Sequence, residues 1–435
     1  MSRNKEFLFA HLLKSAFFGG IINNIKLIWR KTMKYKFSSK IANLKPSAIR
    51  EILKAPATAD TISFAAGNPA PESFPVEEMA RISADIYRNM PASALQYGVT
   101  DGYSPLRDAI ATRQKQRFNN GKSIADGDLF DDTDIIVSGG QQGIELAAKV
   151  FCNEGDAVIC ENPTFIGALN AFRSNGITPV GVTLDADGMN ISELEQKIKD
   201  NPRAKLIYCI PNFQNPAGIC TSAEKRRQIY ELAKKYSLMI LEDDPYGELR
   251  FAGESIPTIK SMDTDGIVIY CSTFSKILSA GMRVGFVLAP DEVASKMVVS
   301  KQTSDVHTNL FFQILCHKYM TECDMDAHIE DIRALYRHKC SLMLDALDKN
   351  MPESVQFTRP EGGLFIWCTL PDADKATEFV KEAARRNVRV VPGATFNADA
   401  DTQSCSFRLN FSTPSDEQIV KGVEILGEVA RDVLK

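Results

Sequence analysis

The chain carries no surplus of basic charge: 51 lysines and arginines stand against 55 aspartates and glutamates, a net charge of −4 over 435 residues. A nucleic-acid binder of this length usually carries a basic excess, so no nucleic-acid partner is expected. The one strongly basic segment lacks an apolar run long enough for a membrane. The first 36 residues hold Arg3, Lys5, Lys14, Lys26, Arg30, Lys31, Lys34 and Lys36 with a single acid, Glu6. That segment is +7, which leaves −11 on the rest of the chain. Its longest uncharged stretch, Ser15 to Ile25, is 11 residues, whereas a membrane-crossing helix needs about 20. Lys14 interrupts the apolar region and no small-residue cleavage site follows, which argues against a secretory signal. An acid-poor amphipathic segment also suits a transit peptide or a membrane-surface helix. The reading adopted is an upstream extension of the frame, with Met33 as the start and no membrane partner.

A metal or disulfide framework is lacking as well. The ten cysteines (Cys152, Cys160, Cys209, Cys220, Cys271, Cys316, Cys323, Cys340, Cys368 and Cys405) are irregularly spaced and form no C-x-x-C. Cys209 sits in the apolar run Leu206-Ile207-Tyr208-Cys209-Ile210, as a small core residue does. Buried thiols of this kind point to a reducing, cytoplasmic setting. His317 adjoins Cys316, but neighbours on one element do not easily turn toward one ion, so no metal is expected. Internal repeats and low-complexity segments are absent. With 44% hydrophobic and 24% charged residues the composition excludes wholesale disorder. The length exceeds what one core comfortably covers, so two domains are expected.

What is present is a regular alternation. Short β-branched or apolar runs recur at 134–138, 156–160, 178–183, 205–210, 238–241, 267–271 and 284–289. Segments with helical spacing lie between several of them. In 222–236 an apolar stripe joins Ile229, Leu232, Ala233 and Tyr236, and Thr221 with Glu224 has the spacing of a capping box. This pattern predicts an α/β fold, with a largely parallel sheet covered on both faces. Ligands of such sheets sit at the carboxyl ends of strands. After Pro290 the character changes: 292–350 is helical in period, and strand-like runs follow at 365–367, 388–391 and 406–411. That predicts a smaller α+β domain, against which the segment from Phe37 to about Ala80 is expected to pack.

Five strand ends carry chemistry. The run Ser272-Thr273-Phe274-Ser275-Lys276 sets one lysine among hydroxyls, with Arg283 seven residues on. It is either a surface lysine in a serine-rich loop or an amine that forms a Schiff base with a carbonyl cofactor, hydroxyls and guanidinium holding a phosphate. Asp243, Asp244 and Tyr246 follow Leu241-Glu242; a carboxylate there keeps a ring nitrogen protonated, or the acids cap a helix or sit in a solvated turn. Asn215 precedes Pro216, which biases it to extended geometry and fixes its amide, although Asn-Pro turns are common anywhere. Ser138-Gly139-Gly140-Gln141 joins a strand to a helix, a natural phosphate seat. Phe165, after Glu161-Asn162-Pro163-Thr164, suits ring stacking or the core equally. A lysine, an acid, an amide, a phosphate seat and an aromatic face together match the needs of pyridoxal phosphate.

This ordered set resembles the class I/II pyridoxal-phosphate aminotransferases of fold type I, from about Lys45 to the C-terminus. Within them it is similar to the subgroup of 2-aminoadipate, kynurenine and aromatic aminotransferases, and to the aminotransferase-like domains of some bacterial regulators. Leu95-Gln96-Tyr97-Gly98, with Gly102-Tyr103-Ser104-Pro105-Leu106-Arg107, is a further family motif. The resemblance implies that Lys276 holds the cofactor and shuttles protons, that Asp243 pairs with the pyridine nitrogen, and that Tyr246 and Asn215 contact the ring hydroxyl. It gives Gly140, Gln141, Thr273, Ser275 and Arg283 to the phosphate and Phe165 to the ring face. Tyr97 reaches the phosphate of the partner subunit, which implies a homodimer with shared sites. Arg408, in Ser406-Phe407-Arg408, and Gly67, in Ala66-Gly67-Asn68-Pro69, hold the substrate α-carboxylate. Arg50 meets the substrate side chain, through a distal carboxylate or an aromatic ring, or is simply a helix-surface arginine. Relatives often carry Ser or Ala at Gly140, so a hydroxyl contact is missing here, and Tyr at Phe165, so a polar handle is lost while stacking survives.

The implied fold is a seven-stranded, mostly parallel large-domain sheet with a smaller α+β domain. The implied division is 1–36 extension, 37–80 segment packing with the small domain, 81–329 large cofactor domain and 330–435 small domain. The implied activity is transfer of an amino group from an L-amino acid to a 2-oxo acid such as 2-oxoglutarate, in two half-reactions. Two alternatives share the frame: β-elimination from a cysteine conjugate, and the sensing module of a transcription factor. The 36 residues before Phe37 are too few for a winged helix-turn-helix.

Overall fold

The computed structural model describes residues 35–42, 44, 46, 50–52, 60–118 and 132–435. Most of the basic extension, and the stretch from Pro46 to Arg50 apart from its two ends, lie outside the described residues. Contacts divide the chain into two units, Met1–Leu44 and Lys45–Lys435. The described part of the first holds one helical turn, Ser39–Ala42, with no buried side chain.

The strands in chain order are β1 Ile62–Ser63, β2 Asp132–Val137, β3 Ala157–Asn162, β4 Thr178–Asp185, β5 Gly188–Met189, β6 Ala204–Cys209, β7 Met239–Asp243, β8 Val268–Thr273, β9 Gly285–Pro290, β10 Gln356–Phe357, β11 Phe365–Thr369, β12 Val388–Arg389, β13 Val391–Pro392 and β14 Ser406–Asn410. The large sheet has the order β2-β9-β8-β7-β6-β3-β4-β5. Its seven long strands are the seven runs read from the sequence; the two-residue β5 folds back on β4 as an eighth. The pairs β4-β3, β3-β6, β6-β7 and β7-β8 are parallel, and only β9, wedged between β2 and β8, and β5 run against them.

Alternation along the central strands explains the two-sided cover. Val158, Cys160, Leu206, Tyr208, Leu241 and Ile269 join one apolar cluster with helices Gly140–Phe151 and Ile166–Ser174. Ile159, Ile207, Cys209, Ile240 and Val268 join another with helices Ile191–Asp200 and Ala223–Tyr236. Successive side chains point to opposite faces, so a strand apolar at every position requires both faces covered. All ten cysteines are free thiols.

The helix Ala223–Tyr236 begins one residue later than the Thr221 cap implied. Ser222 is the N-cap, its hydroxyl accepting from Lys225 N. Thr221 is buried, and its N–H closes the preceding loop on Pro211 O at 2.8 Å, so the half-buried serine takes the cap. The residues after Pro290 form helices Asp291–Gln302, Leu310–Glu322 and Met325–Asn350. The second sheet is antiparallel, β10-β11-β14-β13, while β1 pairs with β12 in parallel. Helix Asp416–Val433 opens with a full capping box between Ser415 and Gln418. Among the described residues no helix is long and apolar enough to cross a membrane.

Candidate active site

The carboxyl ends of β2, β3, β6, β7 and β8 run in one direction and so lie along one edge of the sheet. Lys276 follows β8, and its Nζ donates to Gly67 O at 2.6 Å. Burial, with the positive charges of Arg408 and Arg283, brings its amine down to about 8. A lysine so placed is still mostly protonated near physiological pH but holds far more neutral, nucleophilic amine than an ordinary lysine does.

Asp243 is the last residue of β7 and is buried. Burial lifts its carboxyl to about 7, against the hydrogen bond from Tyr208, while Asp244 adds a like charge. Tyr208 was not singled out from the sequence. Its signal is parity: Tyr208 pairs with Leu241 in the parallel register, so Asp243, two residues on, shares its face. The neighbouring acids are committed elsewhere. Glu242 accepts from Ile259 N and Lys260 N, and Asp244 accepts from Asn212 and Tyr270.

Beside these lies an anion cradle. The helix Gly140–Phe151 starts after Gly139, whose φ of 79° is a left-handed conformation. A Cβ there would overlap the Arg283 guanidinium. Arg283, itself at φ 56°, donates to Ser138 O and to Ser275 Oγ, both at 3.2 Å. Thr273 Oγ1 and Ser275 Oγ are 2.8 Å apart. A helix N-terminus, a guanidinium and two hydroxyls converge as an oxyanion of high charge requires. Gln141 donates to Gly167 O at 2.9 Å, and a Cβ on Gly167 would strike both Gln141 and the Phe165 ring, so the two side chains border the same spot. Gly140 faces Asp243: a Cβ there would come within 3.9 Å of Oδ1.

Arg408, in the centre of β14, is only 1% exposed. It donates to Asn215 Oδ1 at 2.7 Å and to Ala65 O at 2.8 Å, and its Nε has no partner among the described residues. Its guanidinium lies 4.2 Å from the Phe365 ring centre and 5.0 Å from that of Phe396. Burial brings it down to about 10, and among the described residues no carboxylate pairs with it. A buried cation held only by neutral groups suits an anionic ligand. Asn215 also hydrogen-bonds Tyr246, which packs edge-on against Phe365. The Asn215–Pro216 peptide is cis.

Two expected residues stand apart. Tyr97 is 81% exposed and meets His307 edge-on at 5.8 Å. Arg50 is exposed and lies near enough to Arg283 to repel its charge, on the cradle side of the site. The remaining groups match pyridoxal phosphate: a cradle for its phosphate, a carboxylate for its ring nitrogen, an amide and a phenol for its hydroxyl, and a lysine for its carbonyl.

The family profile described as aminotransferase class I and II matches residues 59–426. The chain belongs to this family. It is 40% identical over 403 residues to aromatic-amino-acid aminotransferase 1 of Thermococcus litoralis, covering 92% of this chain and 95% of that one. It is similar to a Pyrococcus horikoshii kynurenine aminotransferase solved in complex with PMP, with a TM-score of 0.86, 38% identity, and 92% and 98% of the two chains covered. It also resembles an alpha-aminoadipate aminotransferase from Thermus thermophilus, complexed with N-(5'-phosphopyridoxyl)-L-leucine: TM-score 0.81, 35% identity, 92% and 98% covered. This class I and II aminotransferase therefore has the fold type I architecture, uses pyridoxal phosphate, and transfers amino groups between amino and 2-oxo acids.

Proposed function

We propose that the enzyme moves an amino group from an L-amino acid to 2-oxoglutarate, with Lys276 at the reacting centre. The observation that carries this is that Lys276 and Asp243 stand at the carboxyl ends of neighbouring strands, β8 and β7, with Arg408 of β14 near enough to Lys276 to repel its charge. When bound, pyridoxal phosphate supplies an electron-drawing ring on which the amino group changes hands. The chain's residues do the rest. Lys276 anchors the cofactor and moves a proton to and from the substrate α-carbon. Asp243 holds the proton on the ring nitrogen, and Tyr208 holds Asp243. Asn215 and Tyr246 orient the ring hydroxyl. Gly140, Gln141, Thr273, Ser275 and Arg283 hold the phosphate, and Phe165 covers the ring.

Arg408 takes the substrate α-carboxylate as a two-pronged donor, with Gly67 alongside. The donors are drawn from 2-aminoadipate, kynurenine and the aromatic amino acids, the substrates that name its relatives. Arg50 reads their side chains. Tyr97 serves the neighbouring site of a homodimer; its exposure beside exposed Leu95 and Val99 supports such a partner. The large cofactor domain spans 81–329 and the small domain 330–435, with 37–80 a separate N-terminal segment and 1–36 an extension. The free thiols support a cytoplasmic setting.

Borohydride treatment of the loaded enzyme and peptide mapping tests the centre of this reading. The label should fall on Lys276, and Lys276→Ala should abolish turnover. A label on any other lysine overturns the assignment. A panel of amino donors with 2-oxoglutarate as acceptor then ranks the substrates, and pyruvate released without an acceptor would expose β-elimination instead.

A further inference from the structure

We propose that buried Lys301 and its half-buried partner Asp305 are positioning residues for the phosphate cradle, acting through Ser138 and Gln142. The proposal rests on the reading of Gly139–Gln141, Ser275 and Arg283 as the phosphate seat. Lys301 lies in the last turn of the helix Asp291–Gln302 and is fully buried. Its Nζ donates to Gln142 Oε1 at 2.7 Å, Asp305 Oδ1 at 2.8 Å and Thr308 Oγ1 at 3.0 Å. Burying a lysine is costly unless every proton finds an acceptor. Here the acceptors belong to the seat or to the loop behind it.

Asp305 completes the arrangement. Its Oδ2 accepts from Ser138 Oγ at 2.7 Å and from Gln142 Nε2 at 2.8 Å. Although burial opposes it, the hydrogen bonds from Lys301, Ser138 and Gln142 hold this carboxyl below the usual range. Gln142 Oε1 also accepts from Ser138 N at 2.7 Å. Ser138 and Gln142 thus bracket the Gly139–Gln141 backbone, and both are tied to the same ion pair. Ser138 O in turn accepts from Arg283. A glycine pair alone would leave this turn free to move. The ion pair removes that freedom, so the backbone N–H groups are aimed before the phosphate arrives.

The test compares apoenzyme titrated with pyridoxal 5'-phosphate and with pyridoxal, which lacks the phosphate. The readout is the ratio of the two dissociation constants. Asp305→Asn should weaken the phosphorylated ligand about tenfold, the scale of one hydrogen bond to a charged group, and leave pyridoxal unchanged. Ser138→Ala removes one hydroxyl and keeps the ion pair; it should move the ratio the same way by less. Arg283→Ala is the reference for the seat. An unchanged ratio in Arg283→Ala means that the seat is elsewhere and the proposal falls with it. A lowered preference in Arg283→Ala, with both other variants unchanged or weakening both ligands alike, overturns the positioning role and leaves the seat standing. If Asp305→Asn does not fold, Ser138→Ala decides, and an unchanged ratio overturns the proposal.

Discussion

Tyr208 Oη donates to Asp243 Oδ2 at 2.7 Å, and both side chains are buried. The bond stabilises the carboxylate form of Asp243 against the burial that pushes it up. Tyr208→Phe should raise Asp243 further, leave fewer carboxylates at neutral pH, and lower kcat about tenfold. The acid limb of the pH–rate profile should move up with it. Asp243→Asn, which carries no negative charge at any pH, should cost about 10²-fold or more. A Tyr208→Phe enzyme with an unchanged acid limb would separate the tyrosine from the reaction, and near-normal rates in Asp243→Asn would turn attention to Asp244.

Arg408 and Arg50 should behave differently. Arg408→Lys keeps a charge but loses the fork that meets a planar carboxylate. Losing a desolvated pair of that kind costs about 2–5 kcal/mol, so kcat/KM should fall by a similar factor for every amino acid. Arg50→Ala should instead reorder the donors, hurting 2-aminoadipate and glutamate more than leucine if it reads a carboxylate. The measurement is the ratio of kcat/KM across donors. A uniform loss for Arg50→Ala, or a donor-selective loss for Arg408→Lys, would reverse the two roles.

The large sheet was legible because its strands are apolar on both faces and bounded by helices, as in 205–210 and 238–241. Its chemistry was legible because Lys276, Asp243 and Asn215 all follow such runs. Other features were not. The Thr221 cap failed because two adjacent hydroxyl residues competed, and burial of Thr221 decided between them. Tyr208 looked like core, and only the register against β7 shows that it shares a face with Asp243. Lys301 and Asp305 sit in a helical, charged stretch where an i,i+4 pair reads as solvated surface. The burial of Lys301, and the turn that brings Asp305 back to it, are products of packing that no local pattern encodes. The aromatic flanks of Arg408, Phe365 and Phe396, come from distant segments and meet only in three dimensions.

Tyr97 offers a test of the shared site. Lys276→Ala and Tyr97→Phe should each be impaired, the second through weaker hold on the neighbouring phosphate. Mixing the two after subunit exchange should restore activity in the heterodimer, which retains one site with both residues intact. Exchange verified by mass, with no recovery of activity, would place Tyr97 within its own subunit's site.

Glu161 gives a prediction about stability. It lies in β3, fully buried, with Oε2 accepting from Gln214 Nε2 at 2.9 Å and from Ile210 N at 3.2 Å. Its Oε1 has no partner among the described residues. Burial raises this carboxyl to about 8, against those two bonds, and nearby Asp243 adds a like charge. In the unfolded chain the group titrates near 4.5. Between those values the folded protein holds a proton that the unfolded chain releases. The folded state binds more protons there, so stability falls as pH rises from about 4.5 to 8. Glu161→Gln replaces the neutral acid with a neutral amide that does not titrate. The amide imposes a fixed packing offset but no slope. Asp243 titrates in both proteins, so subtracting one profile from the other leaves Glu161 together with its coupling to Asp243. Denaturant unfolding at pH 5 and pH 8 should show the difference moving in favour of Glu161→Gln by about 2 kcal/mol or more. Parallel profiles would mean that Glu161 is already ionised in the folded enzyme at pH 5, with its charge met by a group other than Gln214 and Ile210.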